Sequence, residues 1–189
     1  AISGDAVVLN NVTVSGNIAG EAGGGIRNER ASYLLPLPQV NNSIVAGNTA
    51  AVGNDCSAKF VFTYSLVQDT DGCTGATDPT NLFQVDPNLM GFLPTEGYMP
   101  LKSSSPAKDK GNPAEPGSGG TSCAVTDQRG ASRKNDRCDM GAYEYTTPGS
   151  ASRIVPLTYG LRTPPNAAFD QPLQATVLDT IGSPAVLTP

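Results

Sequence analysis

Short apolar stretches broken by Asn, Gly and Ser recur along the first third of the chain. Leu9-Asn10-Asn11-Val12-Thr13-Val14-Ser15-Gly16-Asn17-Ile18-Ala19 aligns with Val40-Asn41-Asn42-Ser43-Ile44-Val45-Ala46-Gly47-Asn48-Thr49-Ala50, six of eleven positions being identical at an offset of 31. A weaker third copy, Phe62-Thr63-Tyr64-Ser65-Leu66-Val67-Gln68, sets Ser65-Leu66-Val67 on Ser43-Ile44-Val45 at an offset of 22. A Gly-containing turn and another short segment follow each of the first two, Gly25-Ile26-Arg27-Asn28 and Gly53-Asn54-Asp55-Cys56. Ile26 to Gln39 reads as a loop insertion that lengthens the first period. Periods of about 20–50 residues mark solenoids, propellers or arrays.

Val12 and Val14 alternate with polar neighbours, as a half-buried strand requires. No segment sustains a 3.6-residue period; the best helical candidate, Ile26–Leu35, is short. Asn at a strand end tolerates the left-handed backbone of a corner. Coils stacked in register place Asn over Asn at about 4.8 Å, so the side-chain amides can form a ladder. Residues 1 to about 110 therefore read as coils of a parallel β-helix in an all-β protein. A β-sandwich is the competing fold, and the identity at offset 31 argues against it.

Composition narrows this picture. With 21 Gly and 16 Pro in 189 residues, the chain is rich in turns, but below the roughly 25–30 % of Gly plus Pro at which disorder is expected. The absence of His removes Ser-His-Asp and Cys-His catalysis and His-ligated metal sites. A net charge of −5 with scattered Lys and Arg argues against a nucleic-acid partner. No run reaches the ~18 apolar residues of a membrane span. No signal peptide is visible either, so a secreted chain of this sequence is expected to be a mature or trimmed form.

Cys56, Cys73, Cys123 and Cys138 form no CxxC pair, which disfavours zinc. Their spacing favours Cys56–Cys73 and Cys123–Cys138 over the two other connectivities, with four buried thiols as the alternative. Each bridge would close a loop of about 15 residues, worth on the order of 3 kcal/mol. Such bridges persist outside the cytosol, so an extracellular or cell-surface location is expected.

The middle of the chain carries an ordered string: Asp86-Pro87-Asn88-Leu89, then Leu101-Lys102-Ser103-Ser104-Ser105-Pro106-Ala107-Lys108-Asp109-Lys110-Gly111, then Cys123-Ala124-Val125-Thr126-Asp127-Gln128-Arg129-Gly130, then Cys138-Asp139-Met140-Gly141-Ala142-Tyr143-Glu144-Tyr145. Over residues 7–145 it closely resembles the C-terminal end of bacterial right-handed parallel β-helix surface proteins, the choice-of-anchor Q group related to chlamydial polymorphic membrane proteins. The resemblance implies that this string closes a right-handed β-helix and that the cysteines flanking it are disulfide-bonded. Lys108 and Lys110 stand where that group usually carries apolar or small residues. In physical terms, Asp127 and Arg129 can lock a turn by a charged hydrogen bond. Gly141-Ala142 permits close packing beside a strand, and Tyr143 and Tyr145 supply large faces. Asp127, Arg129, Asp139, Tyr143 and Glu144 are thus expected to be structural residues of a cap; Asp127, Arg129 and Glu144 as an active site is the competing view.

Residues 1–145 form the expected β-helix and cap, 146–165 a linker and 166–189 an extended tail. From Asn166 to Asp179 the tail resembles the opening strands of a bacterial Ig-like domain. Leu173, Ala175 and Val177 alternate with Gln174, Thr176 and Leu178, which predicts a strand without an obvious partner in its own chain. Such a strand can add to an exposed sheet edge, and Ala1 begins without a capping segment. Head-to-tail contact with a second copy, leading to a filament, is one expectation; attachment to the remainder of a longer surface protein is the other.

Parallel β-helices also include enzymes acting on acidic polysaccharides, which would need paired carboxylates or a calcium-binding acidic cluster. Asp55, Asp69, Asp71 and Asp78 are the candidates, with Asp69-Thr70-Asp71-Gly72 resembling the start of a calcium loop without its later ligands. Asn11-Val12-Thr13 and Asn41-Asn42-Ser43 fit the N-glycosylation pattern but read better as repeat positions. The expectation is therefore a secreted surface structural or adhesive protein with no catalytic residue, metal or cofactor, and with glycan as a further partner. A polysaccharide-binding or polysaccharide-processing module is the alternative.

Overall fold

The computed structural model describes residues 7–29, 36–75, 78–134, 136–147, 153–156, 175–179 and 182–184. Ala1 and Leu173 lie outside the described residues, as does most of the expected helix Ile26–Leu35; its start, Ile26–Arg27, is a strand. The described residues contain no helix.

Three parallel sheets stand side by side and share a core. The first coil comprises β1 (Val8–Asn10), β2 (Thr13–Ser15) and β3 (Ile26–Arg27). The second comprises β4 (Gln39–Asn41), β5 (Ile44–Ala46) and β6 (Cys56–Lys59). The third comprises β7 (Val61–Thr63), β8 (Leu66–Val67) and β9 (Cys73–Thr74), and β10 (Leu82–Phe83) begins a fourth. The sheets are β1-β4-β7, β2-β5-β8-β10 and β3-β6-β9, so the chain is a short parallel β-helix. The registers Leu9↔Val40↔Phe62 and Thr13↔Ile44↔Leu66 reproduce the repeat offsets read from the sequence.

The corners show why the repeat carries Asn. Asn11 (φ 55°), Asn42 (φ 49°) and Tyr64 (φ 49°) turn the chain from the first sheet into the second with left-handed backbone. Gly16 and Gly47 make the next corner, at φ 72° and 67°. The amide ladder is present: Asn17 Nδ2 donates to Asn48 Oδ1 at 3.0 Å and Asn42 Nδ2 to Asn10 Oδ1 at 2.8 Å. A hydroxyl ladder runs beside it. Val12 N–H donates to Ser43 Oγ, Ser43 N–H to Ser65 Oγ, and Ser65 N–H to Asn81 Oδ1. At the last coil, Thr80 and Asn81 stand in for a missing strand over β7, taking Tyr64 N–H on Thr80 Oγ1 and giving Asn81 Nδ2–H to the Phe62 carbonyl. Side chains thereby satisfy an edge that would otherwise invite pairing with another chain.

Leu9, Val40, Phe62, Val14, Val45, Val67, Ile26 and Cys56 point inward to one apolar core. Ile44, Ala46 and Leu66 of the middle sheet point the other way, into a second core with Leu93, Tyr98, Leu101, Ala107, Met140 and Tyr143. The middle sheet is thus covered on both faces at its centre, where β5 and β8 read as unbroken apolar runs, Ile44-Val45-Ala46 and Leu66-Val67, as buried parallel strands do, while β2 at its edge keeps Thr13 and Ser15.

The second cover is the cap, residues 85–147, laid along the flank of the coils. Corner asparagines hold it: Asn11 Oδ1 accepts Ala124 N–H and Asn42 Oδ1 accepts Asn112 N–H, each at 2.8 Å. Gly141 N–H donates to the Asn42 carbonyl at 2.7 Å and Ala142 N–H to Thr13 Oγ1 at 3.0 Å. Gly141 is where the cap comes closest, beside Thr13 and Ile44. Both expected disulfides are formed, Cys56–Cys73 joining neighbouring coils and Cys123–Cys138 joining two cap segments, with Cα separations of 5.3 and 6.5 Å.

The tail corrects two expectations. The strand β12 (Ala175–Leu178) has a partner in its own chain, pairing antiparallel with β11 (Arg153–Pro156), which lies inside the segment expected to be a linker. Leu178 is fully buried in the second core, so the tail gains apolar burial from its own cap.

Candidate functional site

A cluster of ionisable side chains is buried inside the cap. The turn Asp127–Gly130 is closed by the Asp127 carboxylate, whose Oδ1 accepts the N–H groups of Arg129 and Ala131 at 2.8 and 3.0 Å. Its Oδ2 accepts Arg129 Nε–H at 2.8 Å and Glu144 N–H at 3.0 Å. The Arg129 guanidinium lies 3.8 Å over the Tyr143 ring, and it donates to the Glu144 carbonyl and to Ser183 Oγ. Stacking on an aromatic face while forking hydrogen bonds is a geometry that Arg supplies and Lys does not.

Arg133 and Glu144 form a second pair at 3.0 Å, both about 1 % exposed. Arg133 also donates to the carbonyls of Asp139 and Gly141, while its Nε meets no hydrogen-bond partner among the described residues. Glu144 accepts the N–H groups of Asp139 and Lys134. Asp139 Oδ1 accepts Asp109 N–H at 2.8 Å and Oδ2 accepts Tyr145 N–H. At the surface, Lys134 binds Asp109.

Burial sets the electrostatics here. Asp139 is pushed up to about 6, first by burial and then by the Glu144 charge, against the two N–H bonds that favour its ionised form. Burial lowers Arg133, partly offset by Glu144. It raises Tyr143 as well, against the Ser183 bond. Lys134 is raised through its bond to Asp109.

All five residues expected in the cap therefore come together. The three carboxylates already accept backbone N–H groups, so the arrangement holds cap segments to one another and to the returning tail. The tail turn is held by the same cluster: Tyr98 Oη donates to the Gly182 carbonyl, and Tyr143 Oη and Arg129 both donate to Ser183 Oγ. Sequence reasoning missed Arg133 and Ser183. Arg133 sits in the polar run Ser132–Arg137 and nothing in its neighbours distinguishes it from a solvated side chain.

Of the expected acidic candidates, Asp55, Asp69 and Asp71 are neighbours whose carboxylates are taken up by amides, and Asp78 bonds elsewhere. Asp55 is buried, accepting Asn48 N–H and Nδ2–H and Asp69 N–H. Asp69 accepts Asn54 Nδ2–H and Asp71 N–H. Asp78 accepts the N–H and hydroxyl of Thr80, which hold it below the usual carboxylate range. Among the described residues, no three of Cys, Asp and Glu are grouped to hold a metal ion. Asn11 and Asn41 of the two acceptor patterns are buried.

Two grooves open at the coils. One of about 720 Å³ is lined by Val7, Leu9, Ile26, Pro38 and Phe60 with Arg27 and Glu29. Another of about 340 Å³ is lined by Phe62, Thr70, Cys73, Phe83 and Gln84. Neither lining contains a pair of carboxylates. Lys108, the departure noted in the cap string, donates to the Ser103 carbonyl and sits 3.8 Å over the Tyr145 ring, so its charge is accommodated at the surface.

No family model, no curated protein and no solved structure matches the chain.

Proposed function

We propose that this chain is a structural or adhesive domain of a bacterial cell-surface protein of the choice-of-anchor Q kind, acting through the outer faces of its coils and cap. One observation carries the reading: the ionic groups best placed for chemistry, Asp127, Arg129, Arg133, Asp139 and Glu144, are turned inward and bind the cap's own backbone. Two disulfides suit an oxidising compartment outside the cytosol. No helix among the described residues is long and apolar enough to cross a membrane. The tail strand is paired within its own chain, and fibre formation by the domain is the sharper version of the reading.

Two experiments test this. Antibodies against the folded domain should label intact cells, and electron microscopy of the purified chain should show either discrete particles or head-to-tail fibres built from them. Acidic polysaccharides should give no reducing ends or unsaturated products on incubation. Sustained turnover that is lost in Asp71→Asn would replace the structural reading with the polysaccharide-processing one.

A further inference from the structure

We infer that, in a domain acting through its outer faces as proposed above, the cap face built from segments 101–111 and 132–140 docks an acidic polysaccharide.

Charge is distributed unevenly over the chain. These two segments hold six of the twelve Lys and Arg residues but only three of the seventeen Asp and Glu. The remainder carries six cations against fourteen acids, so a basic face stands on an acidic body. In sequence the cations lie in two separate runs, and folding joins them. Gly111 N–H donates to the Cys138 carbonyl at 2.8 Å and Met140 N–H to the Ala107 carbonyl at 3.0 Å, so the segments run side by side. Lys134 reaches across to Asp109.

Burial sorts these groups. Arg133 and Asp139 are buried and turned away from solvent. Lys102, Lys110, Lys134 and Arg137 are exposed, and Lys108 is half-buried. Both exposed acids of the face are engaged, Asp109 by Lys134 and Asp136 by the Arg137 N–H. Among the described residues, Lys102, Lys110 and Arg137 have no acidic partner, so their field is open to solvent. Exposed Ser103 and Ser104 follow Lys102 and add hydroxyl groups able to bond a sugar.

The frame beneath the charges is fixed. Ser105 Oγ donates to the Pro87 carbonyl at 2.6 Å, and the Cys123–Cys138 bridge passes so close to Gly111 that a Cβ there would clash with Cys138 Sγ. Cations presented on a fixed frame lose less ordering entropy on binding.

The kind of polyanion follows from the side chains. Of the five solvent-facing cations four are Lys, a point charge suited to repeated anionic groups rather than to forked recognition of one planar group. Neither segment contains an aromatic residue, and the neighbouring Tyr145 ring lies under Lys108 Nζ at 3.8 Å. The face thus offers charge and hydroxyls, as a carboxylated or sulfated sugar polymer requires, without the stacking platforms that hold single-stranded nucleic acid.

Biolayer interferometry of the full chain against polygalacturonate and dextran sulfate, with uncharged dextran as comparator, tests the assignment. Both polyanions should bind and dextran should not, with affinity falling about 10-fold between about 50 and about 200 mM NaCl. Lys110→Gln with Arg137→Gln should weaken binding roughly 10-fold. Arg27→Gln with Lys59→Gln removes the same charge from exposed positions on the coils and should weaken it less than about 2-fold. Cooperative guanidinium unfolding checks that each variant is folded. No binding to either polyanion, equal binding of dextran, an equal loss in the coil variant, or tighter binding of single-stranded DNA at the same salt would overturn the inference. Antibody labelling of intact cells tests the surface location separately, so either result can fail without the other.

Discussion

Replacing Gly141 with Ala probes the closest approach of cap to coil. The residue has φ +93°, and a Cβ there would lie 2.7 Å from Thr13 Oγ1 and 2.8 Å from Ile44 Cδ1. Two separable penalties follow. The positive φ costs an L-residue roughly 1–2 kcal/mol, and forcing a methyl into a filled space typically costs about 1–3 kcal/mol more. Gly130→Ala is the control, because Gly130 has φ +84° but no atom within 4 Å of the added Cβ. Guanidinium unfolding at constant m should therefore place Gly141→Ala below Gly130→Ala by about 1–3 kcal/mol. The contact can be named further. Ile44→Val removes Cδ1, so in that background Gly141→Ala should cost less, with a coupling on the order of 1 kcal/mol. Equal losses in Gly141→Ala and Gly130→Ala, or no coupling to Ile44→Val, would show that the cap does not seat on the middle sheet at this point.

Other variants test the remaining joints. Cys123 and Cys138 are buried whereas Cys73 is partly exposed, so mild reductant followed by alkylation and mass spectrometry should trap Cys56–Cys73 as the first bridge opened. Arg133→Ala should cost about 3–5 kcal/mol in denaturant unfolding, because it leaves Glu144 charged and buried without its cation; Arg133→Ala with Glu144→Gln should recover part of that loss. Asn42→Gly keeps the corner backbone but removes the acceptor for Asn112 N–H and the donor to the Thr121 carbonyl. It should destabilise the chain by roughly 1–3 kcal/mol for each buried group left unpaired, measured the same way.

Repeats are legible because stacking places equivalent residues on one another. Asn41 lies on Asn10 and Val45 on Val14, so a sequence offset is also a spatial register. The cap was legible through local chemistry: Asp127 and Arg129 meet two positions apart within one turn, and Gly141-Ala142 marks a close approach. Contacts that depend on distant segments left no such mark. Ile44 and Leu66 face a second core contributed by residues beyond 90, which no period in the coils announces. Arg133 finds Glu144, and Ser183 finds Arg129, only once the cap has folded. The strand β11 was hidden for a different reason. It follows Pro148-Gly149-Ser150, whose composition reads as linker, and its pairing with β12 spans a long stretch of chain.

The corner asparagines unite the two halves of the fold. At Asn11 and Asn42 the backbone needs a left-handed residue, for which Gly would suffice. Gly could not also offer the oxygens that receive Ala124 and Asn112 from the cap. Asn meets both demands, since it tolerates that backbone and carries a short amide. The third corner makes the contrast. Tyr64 adopts the same left-handed backbone, but it carries no side-chain amide to receive a cap N–H and packs instead against the second core. The change from Asn to Tyr therefore marks how far along the coils the asparagine docking extends. Repetition in the coils and attachment of the cap are accordingly joined in one residue type, and a coil added without its Asn would stack correctly yet lack the side-chain oxygen that receives a cap N–H.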